Sequence, residues 1–372
     1  MTIRTCWQTR SKDAPRNRPA RQALRTLQMG RALAAIAVAA FHLSIMMGQA
    51  RYGGIEVFRA YTRLGNRGVD FFFVLSGFII LFAHNRDINA PARWSHYAFR
   101  RFVRLYPIYW LYTLLFVVML FVVGGSPDSP MPTTFGGWVA SVTLIRIAPG
   151  QPLIPVAWTL FHELSFYAVF SLLILDRRWG IAAFAVFVAL PLFNHHGQHD
   201  GNSAFDVYFS IYNWHFVLGM GAFWLYRRPG WGSIELPLGG FCVMSALIQA
   251  PFPEEWSRPL LVVGFALMLA GMTKLERAGY LSSPYVLALT GDASYTIYLL
   301  HSNLEGTLLK IAMKIHLQRV IGQGATFLVV LAGAVTLGCG IYRWVERPLL
   351  EMLRRKGPAM GPAPQPGQAM VG

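Results

Sequence analysis

Ten apolar segments run through the chain, and the length of these segments limits the possible folds more than any other feature. They fall near residues 32–49, 69–84, 106–124, 155–175, 180–194, 206–226, 234–250, 259–273, 286–303 and 324–345. Most of them approach the ~20 apolar residues that a single helix needs to cross a lipid bilayer. We therefore predict an all-α, polytopic integral membrane protein with about ten transmembrane helices.

The composition excludes a simple soluble enzyme. Hydrophobic residues make up 54% of the 372 residues and charged residues only 13%, whereas about a quarter of a typical soluble domain is charged. The net charge of +16 is compatible with nucleic-acid binding, but the basic residues border the apolar segments instead of forming one face of a soluble domain. We therefore predict no nucleic-acid partner. The three cysteines are far apart and form no CxxC pair, so we also predict no metal site.

Basic residues concentrate on one side of the predicted spans. The first 28 residues, the loop 85–105 and the residues 354–356 each contain several arginines or lysines. Because cytoplasmic loops are enriched in these residues, we place both termini in the cytoplasm and the protein in a bacterial inner membrane. We predict that residues 1–28 and 351–372 are disordered cytoplasmic tails, since the first is strongly basic and the second is rich in proline and glycine.

The first apolar segment carries two polar residues that are eleven positions apart. Arg31 opens the segment and His42 lies near its middle. At ~100° per residue the two side chains share one helical face, ~16 Å apart along the axis. Such a pair could hold an anionic ligand at one end and transfer a proton at the other. Alternatively, His42 only forms a hydrogen bond with a neighbouring helix.

Charged residues also border the second and third segments. Asp70 lies in the opening turn of the second segment, where it either stabilises a helix N-terminus or acts in catalysis by orienting the His42 ring or a substrate hydroxyl. Arg100 and Arg104 are four residues apart and share a helical face. These arginines either anchor the chain at the cytoplasmic surface or clamp phosphate groups, because each guanidinium presents a planar fork to paired oxygens.

Two later segments contain polar residues in their interior. Glu163 lies about eight residues into the fourth segment, where an unpaired carboxylate costs a few kcal/mol. It either acts in catalysis or forms an ion pair with an arginine, which we favour. Tyr167 lies on the same face one turn later. Ser294, Tyr298 and His301 have helical spacing and predict a polar stripe; we take Tyr167, Ser294 and His301 as candidate substrate-binding residues.

These motifs together resemble those of the membrane-bound acyltransferase 3 family. The matching stretches occur in the family's order along nearly the whole chain: Arg31 to His42, Gly68 to Phe78, Arg100 to Pro107, Trp158 to Tyr167, Ser294 to His301, and Glu346 to Pro348. One departure concerns the fourth segment, where the family often has two adjacent acids. Here the run is Phe161-His162-Glu163-Leu164, which leaves one acid beside a histidine.

The resemblance implies an acyltransferase 3 transmembrane domain over residues 29–350. Its members take an acyl group, usually acetyl, from acyl-CoA at the cytoplasmic face and pass it to a hydroxyl of a carbohydrate or glycolipid acceptor. Acyl-CoA is then a co-substrate, and no tightly bound cofactor is expected. By the family pattern, His42 acts at the chemistry as a base or a transient acyl carrier, while Arg31, Arg101 and Arg104 bind the coenzyme.

Two other classes compete with an acyltransferase. A proton-coupled secondary transporter would use His42 and Glu163 as a proton path. A membrane scaffold or sensor would use its polar residues only to pack helices. Transporters commonly contain inverted repeats, and we find none in the sequence, so an acyltransferase is the favoured interpretation.

Overall fold

A computed structural model describes residues 24–123, 131–194, 203–249, 251 and 254–358, and the regular secondary structure within these ranges is entirely helical. The first helices in chain order are α1 (Arg25–Gly48), α2 (Arg59–Thr62), α3 (Gly68–His84), α4 (Trp94–Val123), α5 (Phe135–Thr143), α6 (Trp158–Leu175), α7 (Arg177–Ala189) and α8 (Ala204–Tyr208). They are followed by α9 (Tyr212–Arg227), α10 (Glu235–Ile248), α11 (Glu254–Arg277), α12 (Tyr285–Asp292), α13 (Ser294–Lys314), α14 (Leu317–Ile341) and α15 (Arg347–Arg354).

The helices confirm the all-α fold class and their lengths are compatible with a polytopic membrane protein, but ten spans are not reached in the part of the chain that the structure describes. Six stretches there are long and apolar enough to cross a membrane: Arg25–Gly48, Arg59–His84, Pro91–Val122, Pro155–Leu175, Trp256–Arg277 and Leu317–Arg354. The helix α10 is apolar but shorter.

The remaining predicted segments do not form single helices that are long and apolar enough to cross a membrane, because they are interrupted or contain charged residues. Segment 180–194 forms the 13-residue helix α7, and segment 206–226 is divided between α8 and α9. Segment 286–303 is divided at Ala293, which separates α12 from α13. The 21-residue helix α13 contains Glu305 and two lysines, so its length alone does not make it an apolar span.

Where the structure describes them, both predicted tails contain helical residues. The helix α1 begins at Arg25, so the last residues of the stretch 1–28 are helical, while residues 1–23 lie outside the described ranges. At the other end, α15 extends to Arg354. This corrects the prediction that disorder begins at 351, because Leu350 is buried and Gly357 packs closely on Phe99.

The helix α1 is the element around which the candidate site is built. It contacts α3, α11, α12 and α13. Glycines allow two of these contacts to be close: a Cβ atom at Gly291 of α12 would overlap the backbone of Gln28, and one at Gly68 of α3 would overlap the backbone of Ala34. Backbones therefore approach directly along the face of α1 that carries Arg31.

A π-helical turn, Tyr342–Glu346, joins α14 to α15. Such a turn contains more residues than an α-helical turn and changes the direction in which the following side chains project; π-turns are frequent at functional sites. After this turn Glu346 is fully buried, and α15 contacts α4. The turn thus brings the end of the last helix to the helix that carries Arg100, Arg101 and Arg104.

Candidate active site

Arg31 and His42 of α1 both contact the same neighbouring helix, α13. The Arg31 Nε donates a hydrogen bond to the Ser294 Oγ at 3.0 Å. The His42 Nδ1 lies 3.2 Å from the His301 Nε2. Because both partners belong to one helix, the two side chains share a face of α1, as their eleven-residue spacing indicates.

The hydrogen bonds of the two histidines assign a tautomer to each neutral ring. The His301 Nδ1 lies 2.8 Å from the Tyr298 carbonyl oxygen, which can only accept, so the His301 Nδ1 carries the proton and its Nε2 carries a lone pair. The His42 Nδ1 lies 2.9 Å from the Val38 carbonyl oxygen and therefore also carries a proton. It donates to both Val38 and His301, and the lone pair of the His42 ring is left on Nε2.

A cavity of about 370 Å³ opens beside this helix pair, and five arginines line it. Its charged and polar lining consists of Arg31, Ser76, Arg100, Arg101, Arg104, Thr159, Glu163, Tyr167, Ser294, Tyr295, Tyr298 and Arg354. The three arginines predicted to bind a coenzyme, Arg31, Arg101 and Arg104, thus come together in one space although they lie on two helices.

The cavity carries an excess of positive charge. One of its arginines, Arg104, forms an ion pair with the fully buried Glu346 at 3.3 Å. The Glu346 carboxylate also accepts a hydrogen bond from the Thr296 hydroxyl. Five arginines against Glu163 and Glu346 leave an excess of three positive charges among these groups. Because guanidinium groups favour paired anionic oxygens, the arrangement suits an anionic ligand.

Arg101 supplies the clearest sign of a missing partner. Its Nε is buried and has no hydrogen-bond partner in the described part of the chain, and its guanidinium lies 5.5 Å from the centre of the Tyr167 ring. Buried donors are nearly always satisfied in folded proteins. An anion that enters the cavity would satisfy this one.

The ion pair that we favoured for Glu163 is wrong. Within the described ranges no arginine nitrogen lies within ion-pair distance of the Glu163 carboxylate, which instead accepts a hydrogen bond from the Tyr167 hydroxyl. The arginine that could have neutralised it, Arg104, pairs with Glu346. The one-turn spacing of Glu163 and Tyr167 does place the two side chains in contact, and both line the cavity.

His42 does not line the cavity in this structure. Tyr298 does, and its ring lies 6.1 Å from the His301 ring and 5.9 Å from the Phe72 ring, measured between centroids. The Tyr298 hydroxyl donates to the Val156 carbonyl oxygen at 3.1 Å. Tyr298 therefore stands between the arginine-lined cavity and the histidine pair, and the predicted stripe of Ser294, Tyr298 and His301 connects the two.

Asp70 does not contact His42, which corrects the prediction that it orients the His42 ring. The Asp70 carboxylate lies 2.9 Å from Arg258, 3.5 Å from His215 and 3.6 Å from Arg67. Arg258 lies in the first turns of α11, and its ion pair with Asp70 joins that end of α11 to the opening turn of α3. The partners of the His42 Nδ1 are the Val38 carbonyl oxygen and His301, which the sequence suggested only for substrate binding.

Two charged residues were missed as site residues by the sequence analysis. Arg354 fell in the predicted C-terminal tail, and only the π-helical turn brings it to the cavity. Glu305 is fully buried, and neither of its carboxylate oxygens has a hydrogen-bond partner among the residues that the structure describes. Its position four residues after His301 on α13 is a sequence signal that could have identified it.

Comparisons with known proteins agree with one another. A family model that describes an acyltransferase domain matches residues 25–344. The chain is 31% identical over 307 residues to the exopolysaccharide production protein ExoZ of Rhizobium meliloti (strain 1021), which covers 79% of this chain and 92% of that protein. It is 24% identical over 342 residues to the acyltransferase MdmB of Streptomyces mycarofaciens, which covers 82% and 86% respectively. No solved structure matches the chain significantly.

Proposed function

Because the chain belongs to the acyltransferase 3 family, we propose that it is a membrane O-acyltransferase that uses acyl-CoA as its donor. The acyl group, which we take to be acetyl, is transferred to a hydroxyl of a carbohydrate or glycolipid acceptor. The observation that carries this proposal is the arginine-lined cavity, which ends at Tyr298 beside the His42–His301 pair.

The arginines bind the phosphates of the donor. Arg31, Arg101 and Arg104 present guanidinium forks that match phosphate oxygens, and the unpartnered Arg101 Nε is one donor ready for them. The basic residues at this end favour its location at the cytoplasmic face of a bacterial inner membrane, where acyl-CoA is available. The pantetheine arm then extends along α13 toward Tyr298.

Glu163 and Tyr167 serve the arm of the donor. A carboxylate repels phosphates, so Glu163 marks a part of the cavity where the ligand offers hydrogen-bond donors, such as the two amide groups of pantetheine. Tyr167 holds the carboxylate by a hydrogen bond. Ser294 has a positioning role, because its hydroxyl accepts the hydrogen bond of the Arg31 guanidinium.

His42 acts through its Nε2, the ring nitrogen with the lone pair. In the direct route, Nε2 takes the proton of the acceptor hydroxyl while the hydroxyl oxygen attacks the thioester carbonyl carbon. The carbon–sulfur bond breaks, and the thiolate takes the proton back from Nε2. General-base catalysis of this kind contributes roughly 10²–10⁴-fold to a rate. The Nδ1–H donates to Val38 and His301 throughout, which stabilises the transient imidazolium.

A covalent route also uses the His42 Nε2. The His42 Nε2 attacks the thioester carbonyl carbon, the carbon–sulfur bond breaks, and the coenzyme leaves as its thiolate, so that the ring becomes an acyl-imidazolium that keeps its Nδ1 proton. The acceptor hydroxyl then attacks the acyl carbon, the bond to Nε2 breaks, and the hydroxyl proton passes to the freed Nε2 and from there to solvent. In both routes the thioester has to pass Tyr298 to reach the ring. Labelled acyl-His42 that accumulates without acceptor supports the covalent route, whereas kinetics that require a ternary complex support the direct one.

The acceptor class follows from the relatives. ExoZ is named as an exopolysaccharide production protein, and this chain covers most of its length. We therefore infer that the acceptor here is a hydroxyl group of an exopolysaccharide or of its lipid-linked precursor. The alternative, a proton-coupled transporter that uses His42 and Glu163, would require neither arginines at the cavity nor an acyl donor.

The experiment measures thiol release by the purified full-length chain in lipid nanodiscs. Acetyl-CoA is supplied with exopolysaccharide from the producing cells after mild alkali has removed its O-acyl groups. We expect acceptor-dependent thiol release and acetyl label in the polysaccharide, both lost in His42→Ala. The control His316→Asn changes an exposed histidine in the turn between α13 and α14 and should retain activity. Proton-coupled uptake of a substrate into sealed lipid vesicles that contain the chain, without thiol release, would overturn the proposal.

A further inference from the structure

We propose that Arg100 and Arg354 form a binding site for the 3′-phosphate of coenzyme A at the entrance of the cavity. The inference rests on the proposed function, because it assumes that acyl-CoA is the donor. It adds a specificity: the chain should distinguish acyl-CoA from a donor that has the same thioester, pantetheine arm and diphosphate but lacks the 3′-phosphate.

The exposure of the five arginines indicates which of them lie at the entrance of the cavity and which lie farther inside. Arg100 and Arg354 are exposed, whereas Arg31, Arg101 and Arg104 are only partly accessible. All five line the same space. The entrance of the cavity is therefore at Arg100 and Arg354, and the inner end lies at Tyr298, next to the histidine pair.

Coenzyme A has a matching linear order. Its thioester is at one end, the pantetheine arm follows, then the diphosphate, and the adenosine with its 3′-phosphate is at the other end. If the thioester is to approach His42, the diphosphate falls among the inner arginines. The 3′-phosphate is then the outermost anionic group and meets the arginines at the entrance.

Packing of the last helix holds Arg354 at this position. Leu350 of α15 is 5% exposed, and Gly357, just after the helix, lies so close to Phe99 that a Cβ atom would overlap the ring. The His96 Nδ1 donates a hydrogen bond to the Pro358 carbonyl oxygen at 3.2 Å. The end of α15 is thus fixed on the first turns of α4, beside Arg100.

The charges at the entrance favour a phosphate monoester. Neither Arg100 nor Arg354 has an acidic partner within ion-pair distance in the described part of the chain, whereas Arg347 on the same helix pairs with Glu351 at 2.8 Å. A phosphate monoester carries a charge of about −1.5 to −2 at neutral pH and offers three acceptor oxygens. Two adjacent guanidiniums can bind it with charge-assisted hydrogen bonds.

The test compares acetyl-CoA with acetyl-3′-dephospho-CoA as donors for the full-length chain in nanodiscs. The unmodified chain should have a KM for acetyl-CoA at least several-fold below that for the dephospho donor. In Arg354→Gln the KM for acetyl-CoA should rise roughly tenfold, the effect of losing one charge-assisted contact. The KM for the dephospho donor and both kcat values should stay nearly constant, so the preference disappears.

Matched variants separate this site from a general effect of charge. Arg355→Gln removes the same charge one position along the chain, from a side chain outside the cavity lining, and should keep the preference. Arg100→Gln should lose it, which provides a second variant if Arg354→Gln is poorly folded. Arg354→Lys should keep part of it, because the charge remains but the planar fork is lost.

The outcomes distinguish the two proposals. If neither donor is turned over by the unmodified chain, the proposed function fails. If both donors are used equally well by the unmodified chain, or if Arg354→Gln raises both KM values by the same factor, only the 3′-phosphate site is overturned.

Discussion

His42 on α1 donates a hydrogen bond through its Nδ1 to the Nε2 of His301 on α13, with 3.2 Å between the two nitrogens. His301 can accept this bond because its own Nδ1 donates to the Tyr298 carbonyl oxygen. In familiar catalytic triads a carboxylate holds the histidine in its active tautomer. Here a second neutral imidazole and the Val38 carbonyl oxygen hold the His42 ring, and no carboxylate within the described ranges forms a hydrogen bond with it.

In the proposed mechanism His301 is a positioning residue, and its removal should affect turnover more than donor binding. In His301→Ala we expect kcat to fall about 10- to 100-fold, since one hydrogen bond to a charged transition state is lost, while the KM for acetyl-CoA stays constant. His301→Gln should restore part of the rate, because an amide oxygen can accept the same bond. Thiol-release kinetics measure both values; equal activity of the Ala and Gln variants would contradict the role.

The Arg104–Glu346 pair should be important for stability. In Glu346→Gln the Arg104 guanidinium loses its counter-charge, and removing one partner of a buried ion pair costs ~3 kcal/mol. We expect a clear fall in the thermal unfolding temperature in detergent micelles. Glu351→Gln breaks the exposed pair with Arg347 and serves as the control, with no measurable change because exposed pairs contribute little. An unfolding temperature for Glu346→Gln equal to that of the control would rule out this role.

Asp70 should affect stability and leave the chemistry nearly unchanged. In Asp70→Asn the positive groups around it, Arg258 and Arg67, lose their shared anion, which costs about 2 kcal/mol for a pair that is partly exposed. The kcat of the folded variant should remain close to that of the unmodified chain, because Asp70 does not touch the His42 ring. A large fall in kcat without a loss of stability would restore a catalytic role for Asp70.

Glu305 presents a buried carboxyl group that has no hydrogen-bond partner among the described residues, and replacing it with an apolar residue should not destabilise the fold. Burial of an unpaired polar group is unfavourable. The part of α13 around Glu305 is apolar, since Leu309 is buried one turn later and Met46 of α1 lies beside Gly306. We expect Glu305→Met to unfold at an equal or higher temperature. A lower unfolding temperature would indicate that the carboxyl group has a stabilising partner in solution.

Relationships within one helix could be predicted from the sequence. The shared face of Arg31 and His42, the contact of Glu163 with Tyr167 and the stripe from Ser294 to His301 all follow from 3.6 residues per turn. In each case the positions of the side chains depend only on the geometry of a single helix.

Relationships between helices could not be predicted in this way. The pairing of Arg104 with Glu346 depends on a π-helical turn that nothing in the local sequence indicates, and the same turn carries Arg354 to the cavity. The break between α12 and α13 was not predicted either, because it lies inside one predicted apolar segment. The spacing of apolar residues indicates which residues are buried and how long an apolar segment is, but not where each helix ends.

Tyr298 also matters for the bilayer around the protein. An open water-filled path through a membrane protein would let protons and ions run down their gradients. The Tyr298 ring lines the cavity on the side of the histidine pair, and its hydroxyl donates to the Val156 carbonyl oxygen. If the cavity receives the donor as we propose, this ring would separate the donor from the histidine pair without a continuous column of water, and the membrane would keep its electrical insulation.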